Sequence, residues 1–583
     1  MSARCVRRTR GLRALLAAAA CVLLAGCVRM PTEGPVVEPR VPAESEQAPG
    51  ISFDPRPPRP DETPSEIVAG FLEAMKATPI SLTVARQFLS RSADKTWAPE
   101  KQIVTYAELG TPTGVSAVRL PMSDVNLYDD RGAWQRTRAT RDLDLTLVQE
   151  DGEWRIDQVP DALVVPDSWF EDFYQRVSLY YFDPTSEVLV PEPVFVPRGD
   201  QFASSLVRGL LAQPTGESVD VARTWFPAGT TTRPVVITRA GIAEVSLSGD
   251  PDAIDTDTAQ RMLTQLAWTL RQDLSIRAVQ LTVGDRLITF GSSSTQVGLD
   301  VGSRYDPSGP GSSRQLFALD RGRVVAGDVG SFEETLGPLG QGAYRLRSLG
   351  VTLTGARVAG ISRDGTQLLT APTDTPDGVV TAPVTDGVDL AAPAFDYRDR
   401  TWLLDRAGGR ARILLVVDGD ARAVDVPGLT GRDVTKLLVS RDGTRLVAVV
   451  RGASADRIVA ARVLHDASGA VLGFTSLRTL PLPAEGSTRV RDVAWRSPTT
   501  VSVLSDINAD FSQVRTISVD GAPGRVDTGG ATSLRGRFRA LVSAPLEDPE
   551  AYAVGGRSIS DLTRQERTVP DLPAGLTSLT YVG

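Results

Sequence analysis

The sequence predicts a multidomain chain: two α+β units followed by an all-β propeller at the C-terminus. Three observations carry that reading. Apolar residues recur at helical spacing from Ile67 to Met75, and the period switches to two beyond Thr111-Pro112. A second unit combines an apolar strand at 177–182 with two helical stretches, 202–212 and one opened by Asp255 or Asp257. From about 312 to 583 no long helical pattern occurs, and short alternating segments are broken by glycine turns. The 583 residues, 41% hydrophobic and 23% charged, are enough for several buried cores.

Composition removes several chemistries. The single histidine, His465, rules out a zinc site built on several imidazoles. Cys5, Cys21 and Cys27 all lie at the extreme N-terminus, so the body beyond them can hold neither a disulfide nor a thiolate metal site. A net charge of −8 argues against sequence-independent nucleic-acid binding, which needs a basic footprint.

Residues 1–13 carry five arginines and no acid, residues 14–25 (ALLAAAACVLLA) are apolar, and Leu24-Ala25-Gly26-Cys27 follows. These are the parts of a secretory signal, and the apolar run is too short to span a bilayer. The tetrapeptide resembles the lipobox of bacterial lipoproteins. That resemblance implies a lipoprotein signal peptide at 1–26 and a Cys27 bearing S-diacylglycerol and an N-acyl chain such as palmitate. It implies a protein held by lipid at the extracytoplasmic face of the cell membrane. Loss of five arginines leaves the mature chain at −13, so the lipid rather than headgroup attraction is expected to anchor it. No other segment reaches 18 apolar residues.

Residues 27–62 read as a linker, with ten prolines between 31 and 64. Such a stretch favours polyproline II; 35 residues at ~3.1 Å each reach roughly 100 Å. An α+β domain is expected over 63–175. Thr63-Pro64-Ser65-Glu66 is a capping box with proline at the first helical position. Phe88-Leu89 is expected in a second short helix. Val115, Ala117 and Arg119, then Leu143, Leu145 and Leu147, alternate as strands, and Asp151-Gly152 turns the chain into Trp154-Arg155-Ile156. The ending EDGEWRIDQVP resembles the last hairpin of nuclear-transport-factor-2-like cone folds, in which the cone often holds a small molecule.

The second domain is expected over 176–300. Helix 202–212 is stopped by Gln213-Pro214, Phe226-Pro227-Ala228-Gly229-Thr230 is a turn, and Ile242–Leu247, Val279–Val283 and Leu287–Phe290 are strands. Met262, Leu263, Leu266 and Leu270 share one helix face. The ordered motifs LYYF, LLAQP, FPAGT, AEVSLS and QLAWTLRQ are similar to the GerMN domain of spore-germination and other extracytoplasmic lipoproteins. They are mostly apolar or turn-forming, which reads as scaffold.

Over 312–583, VAGISRDGT at 358–366 recurs as LLVSRDGT at 437–444, with weaker copies at 393–400 and 493–498. The anchors Ser362, Asp396, Ser440 and Trp495 suggest propeller blades of about 45 residues, five to seven in number. Asp-Gly explains itself as a positive-φ turn between strands.

Candidate chemistry is weak throughout. Asp250, Asp252, Asp255 and Asp257 lack the central glycine and distal glutamate of a calcium loop and read as helix caps. His465 sits in LHDASG and reads as a solvent-exposed turn residue. No G-x-S-x-G elbow and no phosphate loop occur. Two carboxylates would suffice for a glycosidase, but no pair stands out. Trp402 and Trp495 offer sugar-stacking surfaces, although core packing is the ordinary use of a blade tryptophan. No catalytic, cofactor-binding or metal residue is assigned.

The lipobox, Met30-Pro31-Thr32-Glu33-Gly34-Pro35 after the cysteine, the GerMN-like unit and the propeller together resemble the LpqB family of actinobacterial lipoproteins. The resemblance implies a non-enzymatic accessory of a two-component system of the MtrAB type. It would contact the extracytoplasmic domain of a sensor histidine kinase and influence wall homeostasis and division. Two other readings stand beside it: a wall-glycan or small-ligand binding lipoprotein, and a glycan hydrolase.

Overall fold

The computed structural model describes residues 52–291, 294–482, 489–523, 531–546, 550–564 and 569–583. Cys27, the signal segment and the linker up to residue 51 lie outside the described residues. The expected linker is docked from Ser52 onward. Phe53 N–H donates to the Thr78 carbonyl (3.0 Å), the Asp61 N–H to Glu153 (3.1 Å), and Pro55 is buried. Prolines without partners of their own thus pack as a strap on the domain that follows.

That domain opens with the helix Pro64–Ala74, whose Thr63–Glu66 capping box forms in both directions. Ile67, Val68, Phe71 and Leu72 are buried on one face. Phe88 and Leu89 follow the short helix Thr83–Arg86 rather than extend it, because the Phe88 carbonyl accepts the Ile156 N–H (2.9 Å) and the Ser90 N–H donates to the Ile156 carbonyl (2.8 Å). The sheet runs in the order Glu153–Gln158, Trp134–Glu150, Ala117–Tyr128, Ile103–Tyr106, Leu163–Pro166. The last pair is parallel and the others antiparallel. Asp151 and Gly152 both take positive φ, the geometry of a type I′ hairpin turn. Alternation is present in Ala117–Tyr128, but the buried face is Val118, Leu120 and Met122, while Val115, Ala117 and Arg119 are exposed. Together with Phe71, Met75, Trp97, Leu143 and Leu145 these fill the interior of the cone.

The second unit begins with a twisted hairpin, Tyr174–Phe182 and Leu189–Pro197, backed by helices Phe202–Leu211 and Thr256–Leu270. Asp255 caps the second helix by accepting the Thr258 N–H (2.8 Å), and Asp250 caps the short 3-10 turn Pro251–Ala253. Ile242–Leu247 pairs in parallel with Ala278–Val283. The expected strand Leu287–Phe290 is reduced to Arg286–Leu287, with Phe290 turning back to Ser294.

Six sheets follow among the described residues, each a propeller blade. The final strand, Leu576–Thr580, pairs with Leu316–Asp320 of the first blade, so the end of the chain closes the ring. Neighbouring innermost strands meet all the way round, from Leu346–Val351 to Ala540–Ala544 and back to the closing strand. Antiparallel order puts the turns after the first and third strands of every blade at one end of the ring. The turns after the second and fourth strands lie at the other.

The repeat falls into a different register from the one its sequence suggests. The turn equivalent to Ser440-x-Asp442-Gly443 is Thr352-x-Thr354-Gly355. In each, the hydroxyl accepts an N–H five residues on (Arg445, 2.9 Å; Arg357, 3.1 Å), and the glycine N–H returns to the first carbonyl (2.8 Å in both). Thr352, Asp396 and Ser440 are 44 residues apart. The Ser362 copy sits ten residues late, in the next turn of its blade. The motif marks any tight hairpin, because its aspartate satisfies the turn's own N–H and hydroxyl groups (Asp442 with Ser440 and Thr444). Trp402 and Trp495 are core residues that donate to Asp396 (2.8 Å) and the Val439 carbonyl (2.9 Å).

Candidate functional site

The described residues belong to one compact unit, and its three modules meet at a single polar junction. The first module sends in the 129–133 turn. Gly132, at φ +82°, accepts the Phe195 N–H with its carbonyl (2.9 Å); a Cβ there would lie 2.0 Å from the Phe195 oxygen. Beside it the buried pair Asp129–Arg131 (2.8 Å) is tied to Thr215 of the second module at 3.0 and 2.8 Å.

Glu192 is the centre of the junction. It lies buried in the strand Leu189–Pro197, takes the guanidinium groups of Arg445 (3.0 Å) and Arg462 (2.7 Å) from the propeller, and accepts the Ser218 hydroxyl (2.7 Å). Burial alone raises its pKa, but Arg462 and Arg445 outweigh burial and hold the carboxyl at about 2. Arg176 pairs with Asp520 (2.7 Å) and also donates to Ser518. Burial opposes ionisation of Asp520, yet Arg176 keeps it below the ordinary carboxylate range. Arg478 reaches Glu217 (3.4 Å) and stacks on the Trp134 ring at 5.4 Å. Glu192, Arg445, Arg462, Arg478, Trp134 and Asp520 help wall a cavity of about 340 Å³.

The second module makes further contacts with the propeller end. Tyr397 donates to Asp183 (3.2 Å), and Arg398 pairs with Glu187. Buried Arg441 reaches the carbonyls of Ser308 (3.0 Å) and Val582, tying the inter-module segment and the chain end together. Burial pushes its pKa down to about 10. Every one of these contacts falls at the end of the ring that holds the first- and third-strand turns.

Chemically, the junction is a set of mutually neutralising ion pairs, and none activates a nucleophile. Among the described residues no group of three His, Cys, Asp or Glu side chains is arranged to hold a metal. The four aspartates at 250–257 do not converge: Asp250 and Asp255 cap, Asp252 pairs with Arg286 (2.6 Å), and Asp257 with Arg261. His465, expected at the surface, is instead buried at the end of the strand Arg457–His465. Burial and the adjacent Arg400 and Arg398 push its pKa down to about 3, so it stays neutral. Sequence reasoning did not single out Glu192. Its only trace is a lone acid between Pro191 and Pro193 inside an apolar strand.

The fold and junction thus define a multidomain, propeller-bearing protein with its three modules clamped into one body. The family model for the N-terminal domain of lipoprotein LpqB matches residues 57–171, a sporulation and spore germination model matches 178–289, and the LpqB beta-propeller model matches 322–537. Proteins named Lipoprotein LpqB align over most of the chain. That of Thermobifida fusca is 28% identical over 90% of this chain and 92% of its own. The Streptomyces coelicolor protein is 29% identical over 86% and 87%, and the Cutibacterium acnes protein 27% over 92% and 93%. Two LpqB domain models and these alignments agree that the chain is similar to the LpqB lipoproteins over most of its length. Among solved structures, the first GerMN domain of the Bacillus subtilis sporulation protein GerM covers 21% of this chain and 97% of its own, with 23% identity and a TM-score of 0.19. A nidogen/laminin complex chain covers 46% and 97%, with 13% identity and a TM-score of 0.32. No helix among the described residues is long and apolar enough to cross a membrane.

Proposed function

We propose that this protein is a lipid-anchored, extracytoplasmic, non-enzymatic accessory of a two-component sensor kinase of the MtrAB type, acting in wall homeostasis and division. The observation that carries the reading is the junction itself. Its charges are spent on holding three modules rigid, with Glu192 bridging two propeller arginines, rather than on converging at a reacting atom. A rigid body with a free propeller end suits recognition of another folded domain, since preorganised surfaces lose little entropy on binding. Cys27 is the attachment point in this reading.

The test is co-purification of the full-length lipoprotein with the kinase from detergent-solubilised membranes of its own organism. Recovery that is lost on deleting the kinase's extracytoplasmic domain supports the reading; equal recovery without that domain overturns it. The 340 Å³ cavity beside Trp134 supports a second reading, a wall-glycan or small-ligand binder. That reading requires soluble wall glycan fragments to raise the melting temperature of the wild-type chain and not of Trp134→Ala.

A further inference from the structure

The open end of the propeller carries a patch with no role in the fold. Three loops are knitted there by backbone hydrogen bonds. Gly536 N–H donates to the Asp510 carbonyl (2.6 Å), Arg539 N–H to Val554 (2.8 Å), and the Ser512 hydroxyl bridges Gly536 and Phe538. The loops are therefore held by main chain with the Ser512 and Asn508 side chains, and the arginine side chains are left over. Arg535, Arg537, Arg539 and Arg557 all project as exposed residues, and no described acidic side chain pairs with any of them. Ile507 (51% exposed) and Phe511 (41%) stand among them, Phe511 directly opposite Arg535 in the sheet.

The only acid in the three loops is Asp510, and nearby Asp506 is already engaged by Arg491 (2.5 Å). A cationic patch on a chain of net charge −8 is a local reversal of the protein's own field. Arginine interleaved with exposed aromatic and aliphatic side chains is the composition of a protein-binding core, whereas a simple polyanion site gains nothing from Ile507 and Phe511. The first two modules dock at the opposite end of the ring, so among the described residues this end is left open.

We propose that the open-end patch around Arg535, Arg537 and Arg539 docks an acidic, apolar-bearing surface of a protein partner. Resting on the accessory reading, that partner is the kinase's extracytoplasmic domain. The test uses the full-length lipoprotein and the full-length kinase, both purified in detergent, with affinity measured at low and high salt. The combined variant R535E/R537E/R539E should bind roughly a hundredfold more weakly and lose the salt dependence, and I507S/F511S roughly tenfold more weakly. R535E/R537E/R539E should leave the melting temperature unchanged, because its three side chains are exposed, while I507S/F511S replaces half-covered side chains and is compared at a temperature where circular dichroism shows it folded.

Wild-type affinity in both variants overturns the patch while leaving the accessory reading intact. Absence of wild-type binding to the kinase removes the accessory reading and this proposal with it. Displacement of the kinase by inorganic polyphosphate, with I507S/F511S still binding as wild type, shows a polyanion site and also overturns the proposal.

Discussion

Replacing Glu192 by alanine tests the junction most severely. The substitution leaves Arg445 and Arg462 buried and facing each other without their shared carboxylate. Breaking a buried ionic cluster by removing one partner costs about 3–5 kcal/mol, mostly from the uncompensated charge. The electrostatics of the cluster argue the same size: a carboxyl held at about 2 against an ordinary 4.5 corresponds to about 3 kcal/mol. Because the folded pKa is depressed, this contribution is fully present above about pH 4.5. It falls as pH drops toward 2, with about half gone near pH 3. Urea unfolding of the full chain at neutral and acidic pH should show E192A destabilised by that amount at pH 7 and E192Q insensitive to pH in this window. Converting Glu192, Arg445 and Arg462 together to apolar residues of similar volume should restore most of the loss. An E192A chain within about 1 kcal/mol of wild type at pH 7 would refute the claim that this cluster clamps the modules.

Four further outcomes are expected. His465, neutral to about pH 3 when folded but titrating near 6.5 when unfolded, should cost about 1.4 kcal/mol by pH 5.5. His465→Phe should flatten urea stability between pH 5 and 7. Gly132→Ala forces a Cβ into the Phe195 carbonyl and should cost about 2–3 kcal/mol, read as an earlier urea midpoint. Trp402→Phe removes a buried indole N–H that donates to Asp396, whose carboxylate keeps Arg400 (2.7 Å), and should cost about 1–2 kcal/mol by the same assay. Cys27→Ala should release the protein from membranes into the medium, measured by fractionation.

Features set by neighbours in sequence were legible. The Thr63–Glu66 box, the Asp151-Gly152 turn and the Asp255 cap each involve residues within a few positions of one another, so the sequence contains the whole interaction. Alternation around Ala117–Tyr128 was legible as a period but not as a face. Both Val115–Arg119 and Val118–Met122 satisfy a period of two, and the helix that covers one of them is chosen by tertiary packing. The blade repeat was legible as hairpin chemistry, but the same turn serves different positions within a blade, so Ser362 misled the register while Thr352 went unnoticed. Glu192 was illegible because its arginine partners lie more than 250 residues away. His465 misled because a polar loop sequence does not reveal that Arg398 and Arg400 fold across it.

In the proposed role, this rigid body acts on a kinase from outside the membrane. The direct measurement is kinase autophosphorylation in proteoliposomes, with and without the full-length lipoprotein. The expected result is a changed rate for the intact kinase and an unchanged rate for a kinase lacking its extracytoplasmic domain. Identical rates for the intact kinase with and without saturating lipoprotein would contradict it.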